Sequence, residues 1–348
     1  MLISAPITAI CCSIKSLVQY GDDALARAHT EIYELRLRNF IRSGCARIHR
    51  ELSLSAPTLE KQVSQWMKSL SATGDAPDYF MQPRMFPMLL LPWWMAESGG
   101  RKLDRGFQSD VVYSTLNGYY YIRLLDNLMD GHGSVELALL PAAAFFHSEF
   151  LLTYQKYFDA NHPFWPVFRS AWFSSSEAIA SEAGVACFDE DAFRQISAQK
   201  LCAARIPLAA TSYFYRDTES LTPWLEFTSA LAGWSQMLDD LFDWHRDLRD
   251  KKDSYVLSEA REHKREGETV ESWMARTGFD WGMSVLRGWL PELRRLAQPL
   301  GSAALSRYLD LREKMLKEDN AKLGAGLKTL VKISTVLSIE KNYSARPN

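Results

Sequence analysis

The sequence predicts an all-α fold in which a single helical domain spans residues 1–348. Apolar residues recur at helical spacing along almost the whole chain, whereas the alternating pattern of a strand is scarce. The breaks between these segments fall at turn-forming stretches such as Ser71–Pro77 (SATGDAP). Neither an internal repeat nor a long linker divides the chain, so one domain built from packed helices is the simplest prediction.

The first half of the chain is predicted to contain five helices, each ended by turn chemistry. Gly131–Gly133 and Asn161–Pro163 separate the later members of this group. The intervening run Met85–Ala96 (MFPMLLLPWWMA) is too short to span a bilayer and holds two prolines, so it is interpreted as core. The predicted helices are residues 22–50, 57–72, 108–130, 134–159 and 164–184.

The second half is predicted to contain four further helices. Pro207 is expected to kink the first of them, because proline removes a backbone hydrogen bond. The charged stretch Lys251–Gly267 is interpreted as an exposed loop with a short helix. The predicted helices are residues 189–216, 221–249, 280–299 and 302–338.

The charge and cysteine content exclude several classes of function. A net charge of -2 gives no electrostatic basis for binding nucleic acid or an anionic membrane. The five cysteines are odd in number and lack CxxC spacing, so neither a disulfide framework nor a zinc site is indicated. A cytoplasmic protein without a transmembrane segment is therefore expected.

A first acidic cluster lies in the segment YYYIRLLDNLMDG, residues 119–131. Asp126 and Asp130 are four residues apart and share one helix face, and Arg123 lies near that face. Arg123 could pair with Asp126 or reach an anionic ligand. The alternative is an amphipathic helix whose aspartates simply reach solvent, although carboxylates at a helix C-terminus oppose the macrodipole.

A second acidic cluster lies in the segment QMLDDLFDWHRD, residues 236–247. Asp239, Asp243 and Asp247 are predicted to share a face, with Asp240 beside them. Crowded carboxylates repel one another unless cations compensate them, and hard oxygen ligands favour Mg²⁺ over Zn²⁺. The alternative is neutralisation by Arg246 and Arg249.

Taken together, the two clusters resemble the motifs of the class I isoprenoid synthases. The first resembles the D-x-x-x-D motif of squalene and phytoene synthases, where a tyrosine-rich helix leads to an arginine and two aspartates. The second resembles both the Q-x-x-D-D-x-x-D motif of trans-prenyl diphosphate synthases, through residues 236–243, and D-x-x-x-D, through Asp243 and Asp247. Lys200 is placed like the lysine with which prenyl synthases bind diphosphate.

The resemblance implies an all-α domain with a central cavity, in which residues 1–95 form a peripheral layer and residues 100–345 the catalytic core. It implies a cofactor set of Mg²⁺, three ions with diphosphate bound, and a linear prenyl diphosphate substrate of C15, C20 or C25. A homodimer is common in the family. The implied metal ligands are Asp126, Asp130, Asp239, Asp240, Asp243 and Asp247.

Further candidates surround this expected clamp. Arg123, Lys200 and Arg205 are predicted to hold or sense diphosphate. Arg307 with Tyr308 resembles the Arg-Tyr pair that caps diphosphate in bacterial terpene synthases. Aromatic rings stabilise cations, so several aromatic residues are candidates for the cavity wall. The substrate-binding candidates are Tyr119, Phe214, Gln236, Trp234, Phe242, Arg246, Arg307 and Tyr308.

Three functions remain open at this point. The leading one is a Mg²⁺-dependent terpene synthase that ionises one prenyl diphosphate. The second is a prenyltransferase that couples two substrates, either head-to-head or by chain elongation. Residues 99–102 (GGRK) only echo the stretch with which elongating enzymes bind isopentenyl diphosphate. The third is a catalytically silent helical subunit.

Overall fold

The computed structural model describes residues 31–82, 84–129, 137–182 and 187–322. Helices make up the architecture of this part of the chain, and no strand occurs among the described residues. The all-α prediction is therefore confirmed. The prediction of a single domain divided at residues 95–100 stays a prediction.

The helices of the first half follow one another with short connections. Their bounds are α1 Leu35–Ser55, α2 Pro57–Ser69, α3 Ala76–Tyr79, α4 Leu90–Ser98, α5 Arg105–Met129, α6 Leu140–Gln155 and α7 Phe164–Glu182. The run of apolar residues before Gly99 is confirmed as core, because every residue from Leu90 to Ala96 in α4 is buried. That segment is itself a helix, which the sequence pattern did not predict.

The helices of the second half include the longest one described. Their bounds are α8 Glu190–Lys200, α9 Arg205–Phe214, α10 Leu221–Asp250, α11 Tyr255–His263, α12 Val270–Trp273 and α13 Phe279–Ala297. A last helix, α14, begins at residue 303 and continues to residue 322. The stretch around α11 was expected to be exposed, but Tyr255, Val256 and Leu257 are buried.

The helix predicted over residues 189–216 is broken upstream of the expected kink. A short 3-10 helix, Cys202–Ala204, separates α8 from α9. Pro207 lies in the first turn of α9, where a proline costs no helical hydrogen bond. The prediction of a kink at Pro207 was wrong about position, because the chain turns before the proline and not at it.

α5 begins with a cap and packs closely against α6. The Asp104 carboxylate accepts a hydrogen bond from the Phe107 backbone N–H at 2.8 Å. Near its middle, a Cβ on Gly118 would come within 2.8 Å of the Phe150 ring, so glycine permits the close approach of α6. α5 packs against α1 and α6, α10 packs against α8 and α13, and α9 contacts both α5 and α10.

The core has two hydrophobic clusters. The larger one joins α1, α4, the C-terminal part of α5, α10 and α13. The smaller one is rich in aromatic rings and joins the N-terminal turns of α5 to α6, α7 and α9. No helix in the described part of the chain combines the length and apolar character needed to cross a bilayer.

Candidate active site

One face of α10 gathers the polar side chains of the second acidic cluster. At 100° per residue, Gln236, Asp240, Asp243 and Asp247 lie within about 60° of one another around the helix. Asp240 is 6% exposed, whereas Asp239 is an exposed residue. Asp239 lies within about 80° of Asp243 and Asp247, so these three aspartates share a face, with Asp240 at its buried edge and Asp239 at its exposed edge.

Asp240 is the most deeply buried carboxyl group of this face. Its Oδ1 atom accepts a hydrogen bond from Gln236 Nε2 at 2.7 Å. Burial raises the pKa of Asp240 to about 7. The charge of Asp247 also raises this pKa, whereas the hydrogen bond from Gln236 and the charge of Lys200 lower it. Lys200 ends α8, so the helix that packs beside α10 brings a cation to this carboxylate.

Asp243 and Asp247 continue the same face toward the C-terminal end of α10. Arg246 Nη2 contacts Asp243 Oδ2 at 2.5 Å, which neutralises part of the charge as the alternative interpretation expected. Burial raises the pKa of Asp247 to about 6; Arg246 opposes this rise and Asp243 adds to it. The carboxylates thus keep an unfavourable negative charge even with an arginine among them.

The first acidic cluster lies at the C-terminal end of α5. Arg123 Nη1 contacts Asp126 Oδ2 at 3.3 Å, and 49% of the Asp126 side chain is exposed. About two turns before Asp126, the Tyr119 hydroxyl shares a 2.5 Å hydrogen bond with the Tyr79 hydroxyl. Burial raises the pKa of Tyr119, and Asp126 raises it further, so this phenol remains protonated beside the carboxylate. Asp130 lies outside the described residues.

The aromatic candidates for a cavity wall occupy three different surroundings. Phe242 lies on α10 among the carboxylates, with its ring edge-to-face with Phe279. Trp234 is fully buried and donates its indole N–H to the Leu286 carbonyl at 2.9 Å. Both lie on the carboxylate helix, but Trp234 makes the contacts of an ordinary core residue.

Phe214 is not brought to the carboxylates. Its ring stacks on Phe107 with a centroid distance of 3.8 Å, in the smaller aromatic cluster. Phe107 and Asp126 lie nineteen residues apart on α5, or about 28 Å along the helix axis. The prediction that Phe214 lines the same wall as Tyr119 finds no support in this placement, because the ring fills a core at the opposite end of α5.

Arg205 lies away from the carboxylates but on the same side of α10. Its Nη2 atom donates to Ser229 Oγ at 2.8 Å. Ser229 precedes Asp240 by eleven residues, which places it on the same face about 16 Å down the helix. A role for Arg205 as a diphosphate sensor stays a prediction.

Arg307 and Tyr308 lie on different sides of α14. Arg307 is exposed, whereas Tyr308 is fully buried with its ring 5.3 Å from that of Trp94. Sequence reasoning missed Arg312, one turn further along the helix. Arg312 is 2% exposed, and its guanidinium carbon lies 4.9 Å from the Trp234 ring centroid and 5.8 Å from that of Tyr308.

Two other arginines were not among the predicted site residues. Arg84, in the segment before α4, contacts Asp319 of α14 at 2.6 Å and stacks over Phe242 at 4.8 Å. Arg101, in the GGRK stretch, contacts Asp217 at 2.6 Å and donates to the Tyr215 carbonyl at 3.1 Å. The GGRK stretch therefore forms a contact with the loop after α9. A buried arginine far from any motif leaves no signal in one sequence.

The donor set of α10 suits a hard divalent cation. Carboxylate oxygens are the ligands that Mg²⁺ prefers, and the raised pKa values of Asp240 and Asp247 show that these carboxyls lack a sufficient compensating charge. Within the described ranges, the one group of three ligands with atoms inside 4.8 Å is Glu259, Glu262 and His263 on α11. The aspartates of α10, all among the described residues, do not form such a group.

A cleft between two other helices contains none of these residues. It has a volume of about 900 Å³ and runs between α6 and α7, where Trp165, Phe168 and Trp172 form its wall. None of the predicted site residues lines it.

Comparison with known proteins identifies the fold. No protein-family model matches the chain, and no curated protein matches it in sequence. Among solved structures, a polyprenyl synthase from Roseobacter denitrificans superposes with a TM-score of 0.51 at 13% sequence identity. The alignment covers 78% of this chain and 99% of that chain. The protein thus has an all-α fold like that of an isoprenoid synthase, as predicted.

Proposed function

We propose that the protein is a Mg²⁺-dependent terpene synthase that ionises a linear prenyl diphosphate of C15, C20 or C25. The observation that carries this proposal is the buried carboxyl of Asp240, which has its pKa raised to about 7 and lies beside Asp247 and Lys200. A buried carboxylate destabilises the folded protein, and a bound cation would compensate its charge. The isoprenoid-synthase fold makes a diphosphate the expected anion.

The carboxylates of Asp239, Asp240, Asp243 and Asp247 would hold the metal from α10, and Asp126 would hold it from α5. When bound, Mg²⁺ neutralises charge on the diphosphate leaving group and so lowers the barrier to C–O cleavage. Lys200 adds a fixed positive charge beside Asp240. Arg123 offers charge-assisted hydrogen bonds at the end of α5.

The protein's own task after ionisation is to hold the carbocation away from water. Phe242 supplies an aromatic face on the carboxylate helix, and a ring of this kind stabilises a cation by ~0.5–2 kcal/mol. Tyr119 supplies a second ring at the first acidic cluster. Its hydroxyl is shared with Tyr79, which fixes the orientation of the phenol.

The second candidate is a prenyltransferase that couples two prenyl substrates, and the polyprenyl synthase neighbour favours it. A chain-elongating enzyme needs a second cationic site for isopentenyl diphosphate. Arg101, one of the two cations of the GGRK stretch, contacts Asp217 and donates to the Tyr215 carbonyl. This contact supports the one-substrate reaction over chain elongation.

The two candidates and a silent subunit differ in what they consume. We would incubate the purified protein and Mg²⁺ with C10, C15, C20 and C25 diphosphates, with and without isopentenyl diphosphate and NADPH. Mass spectrometry would then identify the products, with Asp240→Asn as the inactive control. A hydrocarbon or alcohol from one substrate is expected. A product that requires a second substrate would establish the prenyltransferase, and absence of turnover would establish a silent protein.

A further inference from the structure

We propose that Arg84 binds the substrate diphosphate, and that Asp319 holds this arginine in the ligand-free protein and releases it when the anion arrives. The inference rests on the proposed function and extends it to a residue outside both aspartate motifs. Three observations carry it: the position of Arg84 over the carboxylate helix, its partial burial, and the presence of a second arginine on the helix of its partner.

Arg84 lies directly over the carboxylate segment of α10. Its guanidinium carbon is 4.8 Å from the centroid of the Phe242 ring. Phe242 follows Asp239 by three residues, so the guanidinium lies over the side of α10 that carries Asp239. Asp239, a candidate metal ligand at the exposed edge of the carboxylate face, acts electrostatically on Arg84. The cation is thus next to one of the carboxylates of the proposed clamp.

The surroundings of Arg84 make its anion partner exchangeable. Burial disfavours its charged form, and Asp319, at 2.6 Å, is the largest compensating charge. Asp319 is itself buried, and burial raises the pKa of its carboxyl. Arg84 keeps 29% of its side chain exposed and Asp319 keeps 10%, and ions so largely removed from water gain little net free energy from pairing. A diphosphate carries more charge and more acceptor oxygens than a carboxylate, and so competes effectively for a planar guanidinium.

Arg312 allows Asp319 to lose Arg84 without becoming an isolated buried charge. Arg312 is 2% exposed on the same helix as Asp319, and its charge favours the Asp319 carboxylate. It also disfavours the charge of Arg84, since the two guanidinium groups repel one another. The charges of Lys322 and Arg312 would therefore compensate Asp319 when Arg84 captures diphosphate.

The test measures binding of inorganic diphosphate by calorimetry at saturating Mg²⁺, with no turnover involved. Arg84→Gln is expected to weaken binding by about 10- to 100-fold, the value of a lost charge-assisted contact. Asp319→Asn is expected to strengthen it, because Arg84 no longer has a competing anion. Arg294→Gln is the matched control, since Arg294 also pairs with acids of α14, namely Asp310 and Glu313, but at an exposed position.

The outcomes separate this inference from the proposed function. Wild-type affinity in Arg84→Gln, with binding lost in Asp240→Asn, would overturn the role of Arg84 and leave the function intact. Wild-type affinity in Asp240→Asn would overturn the function itself. If Arg84→Gln does not fold, the double variant Arg84→Met with Asp319→Leu is measured instead. Removing both ions of a buried pair is tolerated better than removing one. That double variant is expected to fold and to bind diphosphate weakly.

Discussion

At the end of α5, 49% of the Asp126 side chain is exposed and Arg123 contacts it loosely at 3.3 Å. In the middle of α10, Asp240 is 6% exposed and has its pKa raised to about 7. Ionisation of an aspartate thus costs the folded protein much more free energy in α10 than in α5. The α10 carboxylate is unfavourable in the folded protein until a cation arrives, whereas the α5 carboxylate is hydrated and costs little. We infer that α10 supplies the fixed half of the clamp and α5 the half that ligand binding completes.

The largest expected effect comes from removing the buried charge. Asp240→Asn should lower kcat/KM by about 10³-fold, the scale of losing a preorganised electrostatic group. The same variant should be more stable above pH 7. A pKa raised from 3.8 to about 7 means that ionisation costs the folded state ~4 kcal/mol, which the amide avoids.

Urea unfolding at pH 8 and pH 4 checks this prediction. The stability gain should be present at pH 8 and nearly absent at pH 4, where the folded protein already holds the proton. Asp250→Asn is the control, because Asp250 is exposed on the same helix and pairs with Arg249. Loss of stability at pH 8 in Asp240→Asn would show that its carboxylate is a structural group.

Removing the exposed charge of Asp126 should lower the activity and leave the stability unchanged. Asp126→Asn is expected to lower kcat/KM by about 10²-fold. Its free energy of unfolding should stay within about 0.5 kcal/mol of the wild type at both pH values, since the side chain is half-exposed. Equal stability changes in the Asp126 and Asp240 variants would remove the distinction between the two halves.

The pH dependence of metal binding sharpens the same distinction. A protonated carboxyl cannot bind Mg²⁺, so the affinity should fall as pH decreases through about 7 and then about 6, the pKa values of Asp240 and Asp247. Stability without metal should change in the opposite direction and rise as pH falls through this window, because the folded state binds these protons more tightly. Calorimetric titration with Mg²⁺ at pH 5.5, 6.5 and 8 measures the first effect. Proton release on binding, read from buffers of different ionisation enthalpy, should be largest at the lowest pH.

The smallest expected effect on activity tests the placement of the aromatic candidates. Phe214→Leu should lower the free energy of unfolding by ~1–2 kcal/mol, since its ring stacks on Phe107, and should leave the product profile unchanged. Phe242→Leu is the matched substitution on the carboxylate helix and should alter product ratios. Product profiles from gas chromatography decide between them. A changed profile in Phe214→Leu would mean that the substrate chain reaches the far end of α5.

The sequence predicted the all-α fold and most of the long helices, because helical spacing is a local property. It did not predict which of Asp239 and Asp240 turns inward. Adjacent residues differ by 100° around a helix, and the choice depends on where α8 packs. The contact between Arg84 and Asp319 joins residues 235 positions apart, and local spacing could not predict it. Phe214 was misplaced for the same reason, since its position depends on Phe107 and not on its neighbours in the chain.

α4 has a consequence for how the protein is made. All residues from Leu90 to Ala96 are buried, with Trp94 against Tyr308 of α14 and the helix packed on α9. During synthesis, this tryptophan-rich helix leaves the ribosome long before residue 308 exists. At a synthesis rate of roughly 5–20 residues per second, Trp94 remains unpacked against α14 for about 10–40 s. The nascent chain must therefore be shielded from aggregation over that interval, and slow translation should lower the soluble yield unless a chaperone is present.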